Sequence, residues 1–362
     1  MKTRAAVQLG DRTIEMRTFD VPDLDDDHAL LRVEANGICG TDYEIYEGSL
    51  TGTGVFDYPL IPGHEPVGTI DSIGARAAEL WDLEAGDRVA VEAYVPCHVC
   101  RPCRLGRTKF CAHRFVYGFT SVDLAPGLWG GFAEHMVLRP NTVLHRVPDG
   151  LSREDAVLFN PLGGGFAWVH KAGTGIGDTV LVLGPGQRGL ACVLAARQAG
   201  AASVIVTGLG RDRPKLELAR SFGADEVVVA DEEDVVERVQ ELTDGDLVDQ
   251  VIDTTPYATS AIMQAVRCVR PGGTIVLGGV KGMRTVDDFV SDEVVLKDLV
   301  IHGAVAADSW AYERAIELIA SGRHPLGRLH THSLPLEDVE HGLHLLGGSG
   351  TGEPVIHITI TP

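Results

Sequence analysis

Apolar and polar residues follow two different periods along this chain, and the change of period divides it. Over residues 1 to about 155 the apolar positions come in short runs at every second residue. Leu31, Val33 and Ala35 alternate with Arg32 and Glu34, Gly86-Asp87-Arg88-Val89-Ala90-Val91 turns into a strand, and Gly131 to Leu138 reads as another. Glycine and proline punctuate these runs throughout. Strands with no long helix between them predict an antiparallel, barrel-like domain.

From about 156 strand-length apolar runs alternate with stretches of helical period. Thr179 to Leu183 is a strand, Leu190 to Ala199 a helix, Ser203 to Val206 a strand and Pro214 to Phe222 a helix. Val227 to Val229, Glu233 to Leu242, Val248 to Asp253, Ser260 to Cys268 and Thr274 to Leu277 continue the alternation. This predicts an α/β fold, a doubly wound parallel sheet with helices on both faces. Leu299 to Ala304 and Ala311 to Ala320 close that sheet, and from about 301 the chain is expected back in the first domain, ending in a strand over Val355 to Ile360. The predicted division is 1–155 with 301–362, and 156–300. The glycine-rich stretch Gly342 to Gly352 is expected to be a flexible loop.

Composition narrows the function classes. With 362 residues, 44% hydrophobic and 23% charged, the chain suits a soluble protein of two domains. Thirty-one basic against 51 acidic residues give a net charge of −20, the wrong sign for binding nucleic acid. Nothing at the N-terminus resembles a signal peptide, and no apolar run approaches the roughly 18 residues of a membrane span, so no membrane association and a cytoplasmic location are expected. Seven cysteines, four of them in one cluster, point to metal before disulfides.

The candidate chemistry lies in three places. Cys39 and the adjacent pair His64-Glu65 offer S, N and O donors for a tetrahedral zinc with one position left open, the mark of a catalytic rather than a structural metal. A buried free cysteine and an ordinary loop histidine are the plainer alternative. Cys97, Cys100, Cys103 and Cys111 follow the spacing C-x2-C-x2-C-x7-C, four thiolates that close a structural zinc shell. An iron–sulfur cluster is the competing reading. Gly184-Pro185-Gly186-Gln187-Arg188-Gly189 is a G-x-G-x-x-G between a strand and a helix, where a dinucleotide pyrophosphate rests on the helix N-terminus. No carboxylate ends the next strand. Asp212 in the following loop is a candidate for the ribose hydroxyls, giving NAD, whereas Arg211 and Arg213 are candidates for a 2′-phosphate, giving NADP; a solvated helix entrance is the plainer reading of all three, and NAD is preferred.

Taken together, CGTD at 39–42, GHEPVG at 63–68, GDRVAV at 86–91, the cysteine cluster and GPGQRG at 184–189 resemble the zinc-dependent medium-chain dehydrogenase/reductase superfamily, of the sorbitol, threonine and alcohol dehydrogenase type. The resemblance spans nearly the whole chain. It implies a GroES-like β-barrel catalytic domain, a Rossmann domain, a dimer or tetramer, two zinc ions per chain, NAD(P), and a small alcohol or ketone substrate. Carried over by position, Cys39 and His64 are zinc ligands, Glu65 is a further ligand or an exchangeable neighbour, Thr41 passes the substrate proton, and Asp42 orients His64. Two positions depart from the family pattern. Asn160 stands where an acidic or cysteine ligand is common and is expected to bond a metal-held water. Glu44 replaces a common relay histidine. Phe56, Ala93, Phe119 and Phe159 are expected to form an apolar pocket wall, favouring a cyclic or hydrophobic alcohol over a polyol, or else to be barrel core. A zinc-free quinone or enone reductase and a non-catalytic NAD(P)-binding sensor remain the rival functions.

Overall fold

The computed structural model describes residues 1–349 and 354–362. Its contacts divide the chain into one compact unit of Met1–Phe159 with Ile316–Pro362 and a second of Asn160–Ala315.

In the first unit, strands Lys2–Gly10 and Thr13–Asp20 form an antiparallel hairpin whose two turn residues, Asp11 and Arg12, both have positive φ, as a tight two-residue turn requires. A seven-stranded sheet follows the order His330–Pro335, His357–Thr361, Ala29–Gly37, Pro66–Ile73, Arg88–Val91 and Leu144–Arg146, with His135–Leu138 also paired to Ala29–Gly37. Leu31, Val33 and Ala35 are buried and Arg32 is exposed, so the period-two pattern is the core face of this strand. The expected strand over 131–138 begins only at His135, because the residues before it pack as loop, with Phe132 N donating to Pro62 O beside His64. Most of the expected loop 342–352 is also ordered differently. Helix Val339–His344 continues into a wide turn at Leu345–Ser349, while Gly350, Thr351 and Gly352 lie outside the described residues.

The second unit holds a six-stranded parallel sheet in the order Glu226–Val229, Ser203–Gly208, Thr179–Leu183, Val248–Asp253, Val269–Leu277 and Val300–Gly303. Numbered along the chain these strands run 3-2-1-4-5-6, the doubly wound dinucleotide-binding order, with the switch point beside Thr179–Leu183. Val180, Leu181, Val182 and Leu183 are all buried, as a central parallel strand covered on both faces demands.

Helix Phe159–Ala172 was not legible in the apolar period. It carries three consecutive glycines, each less favourable in a helix than alanine by about 1 kcal/mol. Close approach explains them. A Cβ on Gly163 would lie 2.5 Å from the Tyr312 ring, one on Gly164 2.0 Å from Arg188 Nη1, and one on Gly165 2.6 Å from the Ala191 backbone. No helix among the described residues is long and apolar enough to cross a membrane.

Candidate active site

Cys39 is the N-cap of the short helix Gly40–Tyr46, with the extended backbone angles usual at that position. Asp42, in the first turn and almost fully buried, closes the cap: its Oδ2 accepts from Cys39 N at 2.9 Å. Its other oxygen accepts from Gly63 N at 3.3 Å and meets His64 Nδ1 at 3.2 Å. One carboxylate therefore ties the cysteine to the histidine loop and occupies Nδ1, which leaves Nε2 as the ligating nitrogen. Burial works to lower the pKa of His64, but the charge and hydrogen bond of Asp42, with Cys39 alongside, outweigh it and hold the imidazole well above its ordinary value. The cation that Asp42 favours is a proton when no metal is present.

Glu65 is fully buried, and its backbone N donates to Asn36 Oδ1 at 3.2 Å. Ligand atoms of Cys39, His64 and Glu65 all lie within 4.8 Å of one another. A soft thiolate, an imidazole and a carboxylate in a buried pocket suit zinc, with a fourth position left for an oxygen. Gly37 admits the carboxylate. A Cβ there would lie 2.4 Å from Glu65 Oε2 and 2.9 Å from Nε2 of His357, a buried histidine from the C-terminal strand that the motifs did not flag.

The neighbourhood of this donor set is apolar on one side. The Phe119 ring stands 5.2 Å from the His64 ring, and Phe119 packs in one cluster with Ile45, Leu60, Ala93 and Val116, against which Phe56 also lies. Phe159 is not in that cluster; it is fully buried. Thr41 is part-exposed and Glu44 buried, and burial pushes the Glu44 carboxyl up to about 7.

Cys97, Cys100, Cys103 and Cys111 converge as the spacing requires. Sγ of Cys100 lies 3.4 Å from that of Cys103 and 3.9 Å from that of Cys111. A tetrahedral zinc with ligands at about 2.3 Å sets its sulfurs about 3.8 Å apart, so the four fit the ion. Backbone N–H groups of Cys97, Cys100 and His113 donate to these sulfurs. Backbone donors bring the Cys100 thiol down to about 6, whereas burial and the neighbouring thiols push Cys103 up to about 12. Four adjacent thiolates need a cation.

In the second unit, Gly184 has φ +95 at the end of its strand and Gly186 caps the helix Gln187–Ala199. A Cβ on Gly189 would lie 1.9 Å from Gly184 O, so glycine alone lets helix and strand approach this closely. The buried Gln187 Oε1 in the first turn lacks a hydrogen-bond partner. A tight turn and free helix N–H groups in one place fit a dinucleotide pyrophosphate. The Arg188 guanidinium turns back to Asn160, donating to its backbone O at 2.6 Å and its Oδ1 at 2.5 Å. Asp212 accepts from Leu209 N and pairs with Lys215 at 3.4 Å, and Arg213 pairs with Glu232. Lys281 and Asp253, 2.7 Å apart and nearly buried beyond the strand ends, form a pair that no motif announced.

Comparison with known proteins follows these features closely. Residues 25–149 match the alcohol dehydrogenase GroES-like domain and 189–321 the zinc-binding dehydrogenase domain. A Mycobacterium tuberculosis protein named "Probable alcohol dehydrogenase adh" is 45% identical over 99% of this chain and 98% of its own. The erythritol/L-threitol dehydrogenase of Mycolicibacterium smegmatis is 31% identical over 100% and 98%. A crystal structure assigned as a zinc-binding dehydrogenase from Sinorhizobium meliloti, bound to NADP, superposes with a TM-score of 0.87 at 25% identity, covering all of both chains. The chain belongs to the zinc-binding medium-chain dehydrogenase family, as an alcohol dehydrogenase-type oxidoreductase of small-molecule substrates that uses zinc and NAD(P).

Proposed function

We propose that this enzyme interconverts a secondary alcohol, cyclic or otherwise hydrophobic, and its ketone, with NAD as the preferred cofactor. The observation that carries the proposal is the buried Cys39, His64 and Glu65 donor set, with Asp42 behind the imidazole and the apolar Phe119 cluster beside it. When bound, zinc supplies Lewis acidity at the substrate oxygen and NAD(P) accepts the hydride. Thr41 takes the hydroxyl proton. Glu44, three residues on and so on the same helix face, receives it next, and a carboxyl of pKa about 7 is matched to accept and release a proton near neutrality. Asp42 holds His64 in one tautomer and orientation.

Cofactor preference rests on charge. Arg213 is neutralised by Glu232, and Asp231 accepts from Gly210 N, so carboxylates gather where a 2′-phosphate would have to sit. A polyol substrate is the second reading, favoured by the buried Glu44 as a hydroxyl partner and by the tetritol and sorbitol dehydrogenases among the relatives. A homodimer or homotetramer is supported by the edge strand Val300–Gly303, whose outer side carries no partner strand among the described residues while Val300, Ile301 and the nearby Val295 and Leu296 are exposed. Seven free cysteines suit the reducing cytoplasm.

The test is reduction of NAD and NADP with a panel of cyclic, aromatic and polyol alcohols. The proposal expects kcat/KM for a cyclic secondary alcohol at least about tenfold above sorbitol, with NAD above NADP, a ratio that one well-packed apolar contact supplies. The reverse order would establish the polyol reading. Cys39→Ala should abolish turnover and leave NADH binding intact; retained turnover would sink the zinc mechanism, and a wild type that binds NADH but turns over nothing would leave the sensor.

A further inference from the structure

The fourth strand of the parallel sheet, Val248–Asp253, ends on a fully buried carboxylate. Oδ1 of Asp253 accepts from Thr255 N at 3.0 Å and from Thr255 Oγ1 at 2.6 Å, which folds the chain into a turn straight after the strand. Lys281, just beyond the fifth strand Val269–Leu277, brings its ammonium to the same place. Nζ lies 2.7 Å from Asp253 Oδ2 and donates to Thr255 O at 2.5 Å and to Thr255 Oγ1 at 2.9 Å, with the side chain 11% exposed. One lysine therefore joins the ends of two neighbouring strands.

Glycines let this turn sit against the nucleotide loop. A Cβ on Gly184 would lie 3.0 Å from Thr255 Cγ2, and one on Gly279 2.2 Å from Thr255 O. Thr254 Oγ1 lies 2.9 Å from Leu183 O and 3.0 Å from Gly184 O, in reach to donate to either. Thr254 and Thr255 are thus wedged between the end of the first strand and the chain leaving the fifth, all within the second unit. In a sheet of order 3-2-1-4-5-6 the dinucleotide lies outside the carboxyl ends of the strands, with one mononucleotide on each side of the switch point. The adenine ribose is bound beyond the second strand, which leaves the nicotinamide half to strands four to six.

A lysine in such a crevice would ordinarily be read as a ligand for a cofactor phosphate. An ammonium has three N–H donors and no acceptor. Here the two oxygens of Thr255 engage it and the Asp253 carboxylate, at ion-pair distance, cancels its charge. The cation is spent inside the protein.

We infer that Lys281 is a positioning residue for the cofactor: it ties the turn after the fourth strand to the chain after the fifth, and so holds the wall against which the nicotinamide half binds. The inference rests on NAD(P) occupying the 184–189 loop. It gives a role to a buried cation that neither the metal sites nor the glycine motif uses.

Two titrations of the purified enzyme test it, NADH by fluorescence and ADP, which carries only the adenosine and the pyrophosphate, by calorimetry. Lys281→Met is expected to raise the NADH Kd at least about tenfold and to leave the ADP Kd within about threefold of wild type, because a loosened wall costs affinity only for the half it supports. Equal weakening of both ligands would make Lys281 a phosphate contact or a merely structural residue, and a larger loss for NADPH than for NADH would make it a reader of the 2′-phosphate. Either result overturns the inference, as does an unchanged NADH Kd. Lys281→Met leaves the Asp253 carboxylate buried without its cation, a strongly destabilising change. Should that variant not fold, Asp253→Asn combined with Lys281→Met removes both charges, and the same split is expected. Gly189→Ala tests the loop itself: it should weaken NADH and ADP alike, and full ADP binding in that variant would refute the loop as the nucleotide site and the inference with it. None of these titrations needs turnover, so failure of the proposed reaction is seen separately.

Discussion

At the scale of single residues, Asp42 and Glu44 carry opposite lessons about burial. Asp42 is buried and fully engaged, with two backbone N–H donors and an imidazole, so its charge is useful where it sits. Asp42→Asn should weaken the catalytic metal by roughly 10- to 100-fold, as loss of a ligand-orienting carboxylate commonly does, and leave the four-cysteine metal in place; competition with a zinc chelator checks both. Glu44 is buried too, yet burial without a compensating cation pushes its carboxyl up to about 7. Its folded pKa thus lies above its unfolded value near 4.3. The stability it contributes is complete below that unfolded value and is lost as the pH rises through about 7. As a proton acceptor it works only when ionised, so kcat/KM for alcohol oxidation should rise with pH through about 7. Glu44→Gln should flatten that limb and also flatten the pH dependence of the melting temperature. An unchanged limb in Glu44→Gln would remove Glu44 from the proton path.

At the scale of elements, each site depends on how closely two backbones approach. The glycine-rich loop 184–189, the proposed dinucleotide loop, takes its shape because Gly189 lets its helix touch the end of the preceding strand. Gly189→Ala places a methyl 1.9 Å from a carbonyl oxygen and should destabilise the protein by about 1–3 kcal/mol, the usual range for overpacking, and weaken NADH binding at least about tenfold. Thermal unfolding and fluorescence titration measure the two effects. This loop was legible in the sequence because its signal is local: a strand, three glycines at fixed spacing, then a helix. The cysteine cluster was legible for the same reason. Helix Phe159–Ala172 was not, since Pro161 and Gly163-Gly164-Gly165 argue against a helix until the packing of Tyr312, Arg188 and Ala191 is known. The Arg188–Asn160 clamp, 28 residues apart in the chain, was invisible for want of any local pattern. His357 near Glu65 was hidden likewise, because only the pairing of Ala29–Gly37 with His357–Thr361 brings the chain end to the site.

At the scale of the whole molecule, the change of apolar period near residue 156 reflects two different ways of burying a sheet. The first unit's antiparallel strands mix core and surface positions, as at Leu31, Arg32 and Val33, whereas the second unit's central strands Thr179–Leu183 and Ser203–Gly208 are buried along nearly their whole length because helices cover both faces. The edge strand Val300–Gly303 has apolar side chains exposed beside an edge with no partner strand among the described residues. If this edge joins two copies, Ile301→Lys should shift the protein to a monomer on light scattering, since a charge on the edge opposes strand pairing. A protein that keeps its native mass would place the interface elsewhere. The net charge of −20 shapes solubility and not the fold.

The central claim is that each chain holds two zinc ions in different environments, one among four thiolates and one on Cys39, His64 and Glu65. Elemental analysis of the purified protein beside Cys39→Ala measures it most directly. Two zinc per chain in the wild type, with one remaining in the variant, is the predicted result. One zinc in both, together with alcohol turnover in both, would contradict the account.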